Sequence, residues 1–215
     1  MEVLFIEIFT DFKFKLDKEQ VTNTLKNYSY ILNIKKIMPI YNSLLPILYE
    51  YVKPLGVFNI EKNIDLHNMY KYEYIIPCIV SIGSDIDKKT NYYFSQKKIE
   101  EGLVLNAMAT SYLFNVASQL FRCIYVKTSN ANLGLSCRIS PGDNYLPIKY
   151  QKYILYKLNK NNTFKININK NYVISPAHSM AYIYMADKKI PINKKDHNCS
   201  ECQGRNTCSM RKDLV

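Results

Sequence analysis

No window of about 18 uninterrupted apolar residues occurs in the chain, so no membrane-spanning helix is expected. A basic leader is missing too. Met1-Glu2-Val3-Leu4-Phe5-Ile6-Glu7 carries acids within its apolar run, which argues against a signal peptide and makes the cytoplasm the default. There is no Walker loop, no dinucleotide-binding glycine triad, no nucleophile elbow and no zinc-protease histidine pair. Histidine is scarce: His67, His178 and His197 are the three, and none has a carboxylate at a spacing that suggests a dyad. Acids are outnumbered, with 18 Asp and Glu against 29 Lys and Arg, a net charge of +11. The lysines are scattered in pairs such as Lys35-Lys36, Lys88-Lys89 and Lys194-Lys195, without an aromatic-interleaved stripe or a nucleic-acid motif. They read as solvated faces among abundant Asn, Ile and Tyr, and an acidic protein is a better partner than nucleic acid.

What is present fits one globular domain. The chain has 215 residues, 47% of them hydrophobic. A chain of this size buries roughly 70% of the surface its unfolded form exposes, enough for a real core. Residues 2–9 read as a strand, and Asp17-Lys18-Glu19 opens a helix to about Lys26. Pro39 to Val52 reads as a second helix, with a kink or break expected at Pro46. Val57 to Ile60 and Tyr72 to Ile82 read as strands, Pro77 pointing to an edge position or a bulge in the latter, and Gly83-Ser84-Asp85 ends it. From about Ser95 to Tyr125, Ile99, Leu103, Ala109, Leu113, Val116, Leu120 and Ile124 recur along one helical face. Gly134 to Ile139 is extended, Pro141-Gly142 turns, and a helix led by Pro147 continues through Leu158 with Ile148, Ile154 and Leu155 inward. Strands follow at Tyr172 to Ser175 and Ser179 to Ala186, after which the chain is polar and aperiodic. Irregular alternation of strands and helices, with late strands folding back, predicts an α+β domain with a twisted, largely antiparallel sheet and flanking helices. The expected division is a domain over 1–190, of which 1–70 is less diagnostic, and a cysteine-containing tail over 191–215.

Two stretches carry candidate chemistry. In "RISPGDNYLPIKYQKYIL", Arg138 precedes the Pro141-Gly142 turn. Its planar fork of donors fits a carboxylate at two points, and a turn without side-chain bulk lets a ligand approach backbone groups. The spacing alone better fits a surface arginine before a β-turn. In the tail, Cys199 and Cys202 have the two-residue gap that lets two thiolates share one ion, and Cys208 follows after five more residues. His197 would complete a zinc site, or Cys137 if the tail folds back; an iron–sulfur cluster, reduced thiols and a tail disulfide are the alternatives. Cys78 and Cys123 lie in apolar runs and read as core. His67 reads as a surface loop residue and His178 as an ordinary strand residue.

The Arg138 segment resembles the Arg-x-Ser-Pro-Gly-Tyr-Gly-Asp-x-Pro-x-x-x-Gln segment in the activation domain of cobalamin-dependent methionine synthase. Four further stretches agree in order. "IVSIGSDID" is similar to that domain's strand and Gly-x-x-Ile/Val-Asp turn, and "GLVLNAMATSYLFNVASQL" to its Leu-Asp-Ala-x-Gly-Ser helix. "YVISPAHSMAYIYMA" is similar to its Ile-Pro-x-x-Ser-Val-Ser strand pair, and "CSECQGRNTCSMR" to a tail found in many bacterial members. The resemblance covers roughly residues 72–211 and suggests a stand-alone, clostridial-type member. It implies binding of S-adenosylmethionine and docking on a cobalamin-carrying methionine synthase or other corrinoid protein. Reductive methylation there reactivates oxidised cobalamin, an accessory role in methionine biosynthesis, with neither membrane nor nucleic acid involved. On this resemblance Arg138, Ser140, Pro141, Gly142, Asp143 and Ser179 form the ligand site, and the chain itself performs no bond chemistry.

Departures bear on the ligand. Asp143 stands where the family has Tyr, Phe114 where a Glu is common, Asn106 for the Asp of the helix start, and Lys170-Asn171 for a Glu-Ser pair. Fewer acids would meet a ligand's ammonium or sulfonium, so a different small molecule is a further alternative. The rival reading from another class is a metal- or cluster-bearing redox protein centred on Cys199, Cys202 and Cys208.

Overall fold

The computed structural model describes residues 6–26, 28, 34–66, 70–143, 146–192 and 196–198. Its fold is α+β, built on an antiparallel sheet with helices on both faces. Strand β1 (Glu7–Phe9) is followed by helices α1 (Lys18–Lys26) and α2 (Ile34–Tyr51), then β2 (Leu55–Phe58), β3 (Glu61–Lys62) and β4 (Tyr74–Ser81). Helices α3 (Asp85–Ser95) and α4 (Ile99–Asn130) come next, then β5 (Gly134–Leu135), α5 (Tyr150–Leu158), β6 (Asn167–Ile168), β7 (Ile174–Ser175) and β8 (Ser179–Asp187). The main sheet runs β1-β2-β4-β8-β5, with β3 also paired to β4; β6 and β7 form a separate ribbon.

The two central strands, β4 and β8, pair from Tyr74↔Ala186 to Ser81↔Ser179 and are buried along nearly their whole length. Both faces of the pair are therefore covered. Even-numbered residues of both (Ile76, Cys78, Val80; Tyr182, Tyr184, Ala186) pack under α1, α2 and α4. Odd-numbered ones (Ile75, Ile79; Ala181, Ile183, Met185) pack against Ile154, Leu155 and Leu158 of α5. Helix α4 has 32 residues, a span of about 48 Å, and forms the spine of the first layer.

Several expectations need correction. Pro77 lies in the central strand β4, opposite Ile183. Its carbonyl accepts from Asn59 N at 3.3 Å, and because it has no N–H the return bond of that pair cannot form, which is where β2 ends and the gap before β3 begins. Helix α2 begins earlier than expected and runs unbroken through Pro39 and Pro46. Both prolines are exposed, so water can satisfy the carbonyls they deprive of a partner. Helix α3 was not foreseen, because its sequence (DIDKKTNYYFS) buries only Ile86 and Thr90 among its named core positions. Around Pro147 the chain makes i→i+3 bonds, Tyr150 N to Pro147 O and Gln151 N to Ile148 O, both 3.0 Å. That tighter first turn delays α5 to Tyr150 and turns Ile148 outward, 42% exposed. Ile99 is likewise outside the core, and Cys123 is half-buried, whereas Cys78 is fully buried. Among the described residues no helix is long and apolar enough to cross a membrane.

Candidate functional site

Arg138 owes its position to an irregularity in the sheet. Beyond β5 the chain stays on β8: Ser136 N donates to Met185 O and Ile139 N to Ile183 O, each at 2.9 Å. Two residues, Cys137 and Arg138, therefore oppose the single residue Tyr184, which is a β-bulge. Bulges re-aim side chains, and this one sends Arg138 to the α4 face while Ile139 stays on the α5 face.

The guanidinium is enclosed there, its side chain only 10% exposed. Its central carbon lies 5.2 Å from the Tyr182 ring and 5.7 Å from the Phe114 ring, so aromatic faces wall it in. The position read as a lost acid is thus occupied by an aromatic neighbour of the arginine. Asp196 supplies the countercharge. Its carbonyl accepts from Arg138 N at 2.7 Å, its Oδ1 accepts from the Tyr184 hydroxyl at 2.5 Å, and its Oδ2 stands 3.9 Å from Arg138 Nη2. The other terminal nitrogen, Nη1, is buried without a hydrogen-bond partner among the described residues. Burial works against the guanidinium's charge, but Asp196 and the tyrosines Tyr184 and Tyr182 outweigh it and raise its pKa. Burial likewise pushes the Tyr182 and Tyr184 hydroxyls and the Cys78 thiol well above their usual ranges. The group is a permanently charged donor with part of its hydrogen-bonding capacity unspent.

The neighbouring turn is closed on itself. Asp143 N donates to Ser140 O at 3.0 Å, Ser140 N to the Asp143 carboxylate at 3.1 Å, and Gly142 N to Leu146 O at 2.7 Å. Gly142 has φ of 100°, a left-handed conformation that glycine adopts without strain after a proline. Pro141 has no N–H, so the turn keeps no spare amide and what it can offer a ligand is carbonyl oxygen and an edge without bulk. Asp143 is thus a turn-locking carboxylate.

Ser179 is not brought to Arg138. It shares the odd-numbered face of β8 with Ala181 and Ile183, opposite Tyr182, and its hydroxyl pairs with that of Ser81 at 2.8 Å. His178 is not an ordinary strand residue as expected: it has a carboxylate partner that no sequence spacing suggested. Its Nδ1 lies 2.5 Å from Asp87 Oδ1, the other Asp87 oxygen accepts from Ala177 N at 2.7 Å, and Nε2 is 3.5 Å from Thr110 Oγ1. Asp87 and His178 are 91 residues apart, a separation no local spacing rule reaches. His197 is half-buried beside Asp196, while His67, Cys199, Cys202 and Cys208 lie outside the described residues. Among the described residues no cluster of three or more His, Cys, Asp or Glu is placed to hold a metal.

A separate open cleft of about 510 Å³ lies between α2 and α3, lined by Tyr51, Lys53, Asp85, Lys88, Lys89 and Tyr92. Its cations are engaged: Lys53 and Lys88 hold Asp85 at 2.6 and 3.0 Å, and Lys89 sits 4.9 Å over the Tyr51 ring.

No family model and no curated protein matches the chain. Its fold is similar to that of a solved structure, the MetH reactivation domain bound to AdoHcy. The TM-score is 0.62 at 12% identity, covering 88% of this chain and 81% of that one. The fold class is therefore that of the methionine synthase reactivation domain.

Proposed function

We propose that the chain binds S-adenosylmethionine and serves, as a stand-alone clostridial-type module, the reductive methylation of a cobalamin-dependent methionine synthase or other corrinoid protein in trans. The observation that carries this reading is Arg138: a buried guanidinium, walled by Phe114 and Tyr182, with Nη1 unclaimed among the described residues, on a fold similar to a domain solved with AdoHcy. A carboxylate is the group such a fork takes best, since two parallel N–H···O bonds satisfy both partners. Arg138 would hold the carboxylate of the ligand's amino-acid end, and the Ser140–Asp143 turn would lie along its edge. The turn's carbonyls suit a ligand that also carries ammonium and sulfonium groups, and so answer in part for the acids missing at Phe114 and Asn106. When bound, S-adenosylmethionine supplies an electrophilic methyl group to a partner's corrinoid. The chain's part is to orient the donor and keep water off the ion pair. The domain over 1–190 would do this, and the net charge of +11 would steer it to an acidic partner surface.

Calorimetric titration of the full chain with S-adenosylmethionine tests the reading. Saturable one-site binding is expected, and absence of heat and of any thermal stabilisation by the ligand would overturn it. Co-purification with a cobalamin-dependent methionine synthase at low salt, lost at high salt, tests the partner. His197, Cys199, Cys202 and Cys208 are proposed as a zinc or cluster site of the tail. Metal analysis and a visible spectrum after anaerobic purification decide that: a brown protein favours the redox reading, and a metal-free one removes the site.

A further inference from the structure

The chain carries its own carboxylate at the arginine. After β8 it passes over β5 so closely that a Cβ on Gly134 would lie 2.0 Å from the Ile190 carbonyl oxygen. It is then fixed at Asp196 by the backbone bond from Arg138 N and by the Tyr184 hydroxyl. The guanidinium itself contributes least to that anchorage. Its closest approach to the Asp196 carboxylate, 3.9 Å, is beyond hydrogen-bond range, and Nη1 has no partner among the described residues. Asp196 thus neutralises Arg138 without satisfying it. An incoming carboxylate could make the paired bonds that Asp196 does not, but only by meeting a negative charge already in place.

We propose that Asp196 is a built-in competitor for the ligand's carboxylate, so that the site opens only to ligands that bring an anion of their own to Arg138. The proposal rests on the reading of Arg138 as the carboxylate-binding group. Two carboxylates around one shielded guanidinium repel, because the enclosure that keeps water out also keeps their charges unscreened. The Asp196 side chain therefore gives way when a ligand carboxylate docks, and the affinity observed is reduced by the fraction of molecules in which it holds the site. A ligand without a carboxylate has nothing to exchange for that contact. A nucleoside thioether such as methylthioadenosine leaves Asp196 where it is. Asp196 in this way sets selectivity for the amino-acid end of the ligand from outside the segments that carry the family resemblance at Arg138.

The test uses the full chain and three ligands: S-adenosylmethionine, AdoHcy and methylthioadenosine. Replacing the competitor's charge in Asp196→Asn is expected to tighten both carboxylate ligands by about 5- to 50-fold and leave methylthioadenosine within about 2-fold. Tyr184→Phe, which removes one anchor of Asp196 but not its charge, should tighten them less. Thermal melts establish that both variants are folded. Unchanged or weaker binding of the carboxylate ligands in both variants overturns the proposal, weaker binding meaning that Asp196 serves the ligand's ammonium instead. A second arm is independent of S-adenosyl ligands. With 15N-labelled protein, the Arg138 Nε–H resonance is followed during titration with sodium acetate. Half-saturation at lower acetate in Asp196→Asn than in the unaltered chain is expected, and equal titration overturns the proposal. Acetate competition without any binding of S-adenosylmethionine would sink the proposed function and leave the competitor in place.

Discussion

Arg138 and Lys157 are both cations drawn in from solvent, and their surroundings differ atom by atom. Lys157 Nζ lies 3.2 Å from Glu61 and 3.1 Å from Asp65, and the Tyr153 hydroxyl donates to the same two carboxylates at 3.3 and 2.9 Å. Asn59 Nδ2 donates to the remaining Glu61 oxygen at 3.3 Å. Both Glu61 oxygens and Asp65 Oδ2 have donors, and the network fastens α5 to β3. Burial, with the two carboxylates, pushes the Tyr153 hydroxyl up; burial works against the Lys157 charge but the same carboxylates outweigh it and raise its pKa, and hydrogen bonds from Tyr153 and Lys157 lower Asp65. Perturbed acidity is therefore no sign of a site here: a closed network shifts its members as much as an open one does. What separates Arg138 from Lys157 is a charged terminal nitrogen buried without a hydrogen-bond partner among the described residues.

The contrast is sharpest when each region loses its central group. Arg138→Ala removes the only donor fork near Phe114 and Tyr182 that the described residues offer, so S-adenosylmethionine affinity should fall by about 2–5 kcal/mol, or 30-fold and more. Glu61→Ala should leave that affinity unchanged while lowering unfolding stability by about 1–3 kcal/mol, because Tyr153, Lys157 and Asn59 lose an acceptor together. Calorimetry and denaturant melts on the two variants give the four numbers needed. A loss of binding in Glu61→Ala with the fold intact would erase the distinction between the regions.

How far this was legible in the sequence depends on range. The long helix was readable because Val116, Leu120 and Ile124 repeat locally, β4 because β-branched residues cluster in it, and β8 because its apolar residues nearly alternate. Arg138 and its turn were readable because a Pro-Gly pair implies a backbone shape. The bulge was not, since it exists only in the register of residues 136–139 against 183–185. Nor were the partners of the charges: Asp196 reaches Arg138, and Asp87 reaches His178, through the sheet and not along the chain. Pro77 misled because the rule placing proline at sheet edges concerns a missing donor, and here that donor faces an interruption in the neighbouring strands.

Asp87 and His178 form a third polar region, and it sides with Lys157. The Thr110 hydroxyl donates to Asn106 O at 2.9 Å, so its proton is committed to its own helix and not to His178 at 3.5 Å. Asp87 meanwhile holds the ring and the Ala177 amide, tying the first turn of α3 to the loop before β8. Asp87→Ala should cost about 1–2 kcal/mol of stability, with Asp87→Asn recovering part of it through its remaining acceptor oxygen, and neither should alter ligand affinity. A ligand effect that exceeds the stability effect would move this region into the same class as Arg138.

Asp85, at the open cleft, provides the smallest and cleanest test. Hydrogen bonds from Lys53 and Lys88 hold its carboxyl down from 3.8 to about 2. A pKa lowered by folding contributes stability that is fully present above the unfolded value and disappears as the carboxylate takes up its proton in the folded state. The contribution should therefore be intact above about pH 4 and be lost as the pH falls from there towards about 2. Other carboxylates titrate in the same window, so the measurement is the difference between the unaltered chain and Asp85→Asn, compared by thermal melts from pH 5 to pH 2. The unaltered chain should lose melting temperature more steeply, the two curves converging at the acid end. Because Lys53 and Lys88 are well exposed, added salt should shrink the gap at every pH, whereas the ion pair between Arg138 and Asp196, shielded by Phe114 and Tyr182, should not respond. Parallel melting curves, or a gap indifferent to salt, would mean that this surface cluster resembles the enclosed one after all.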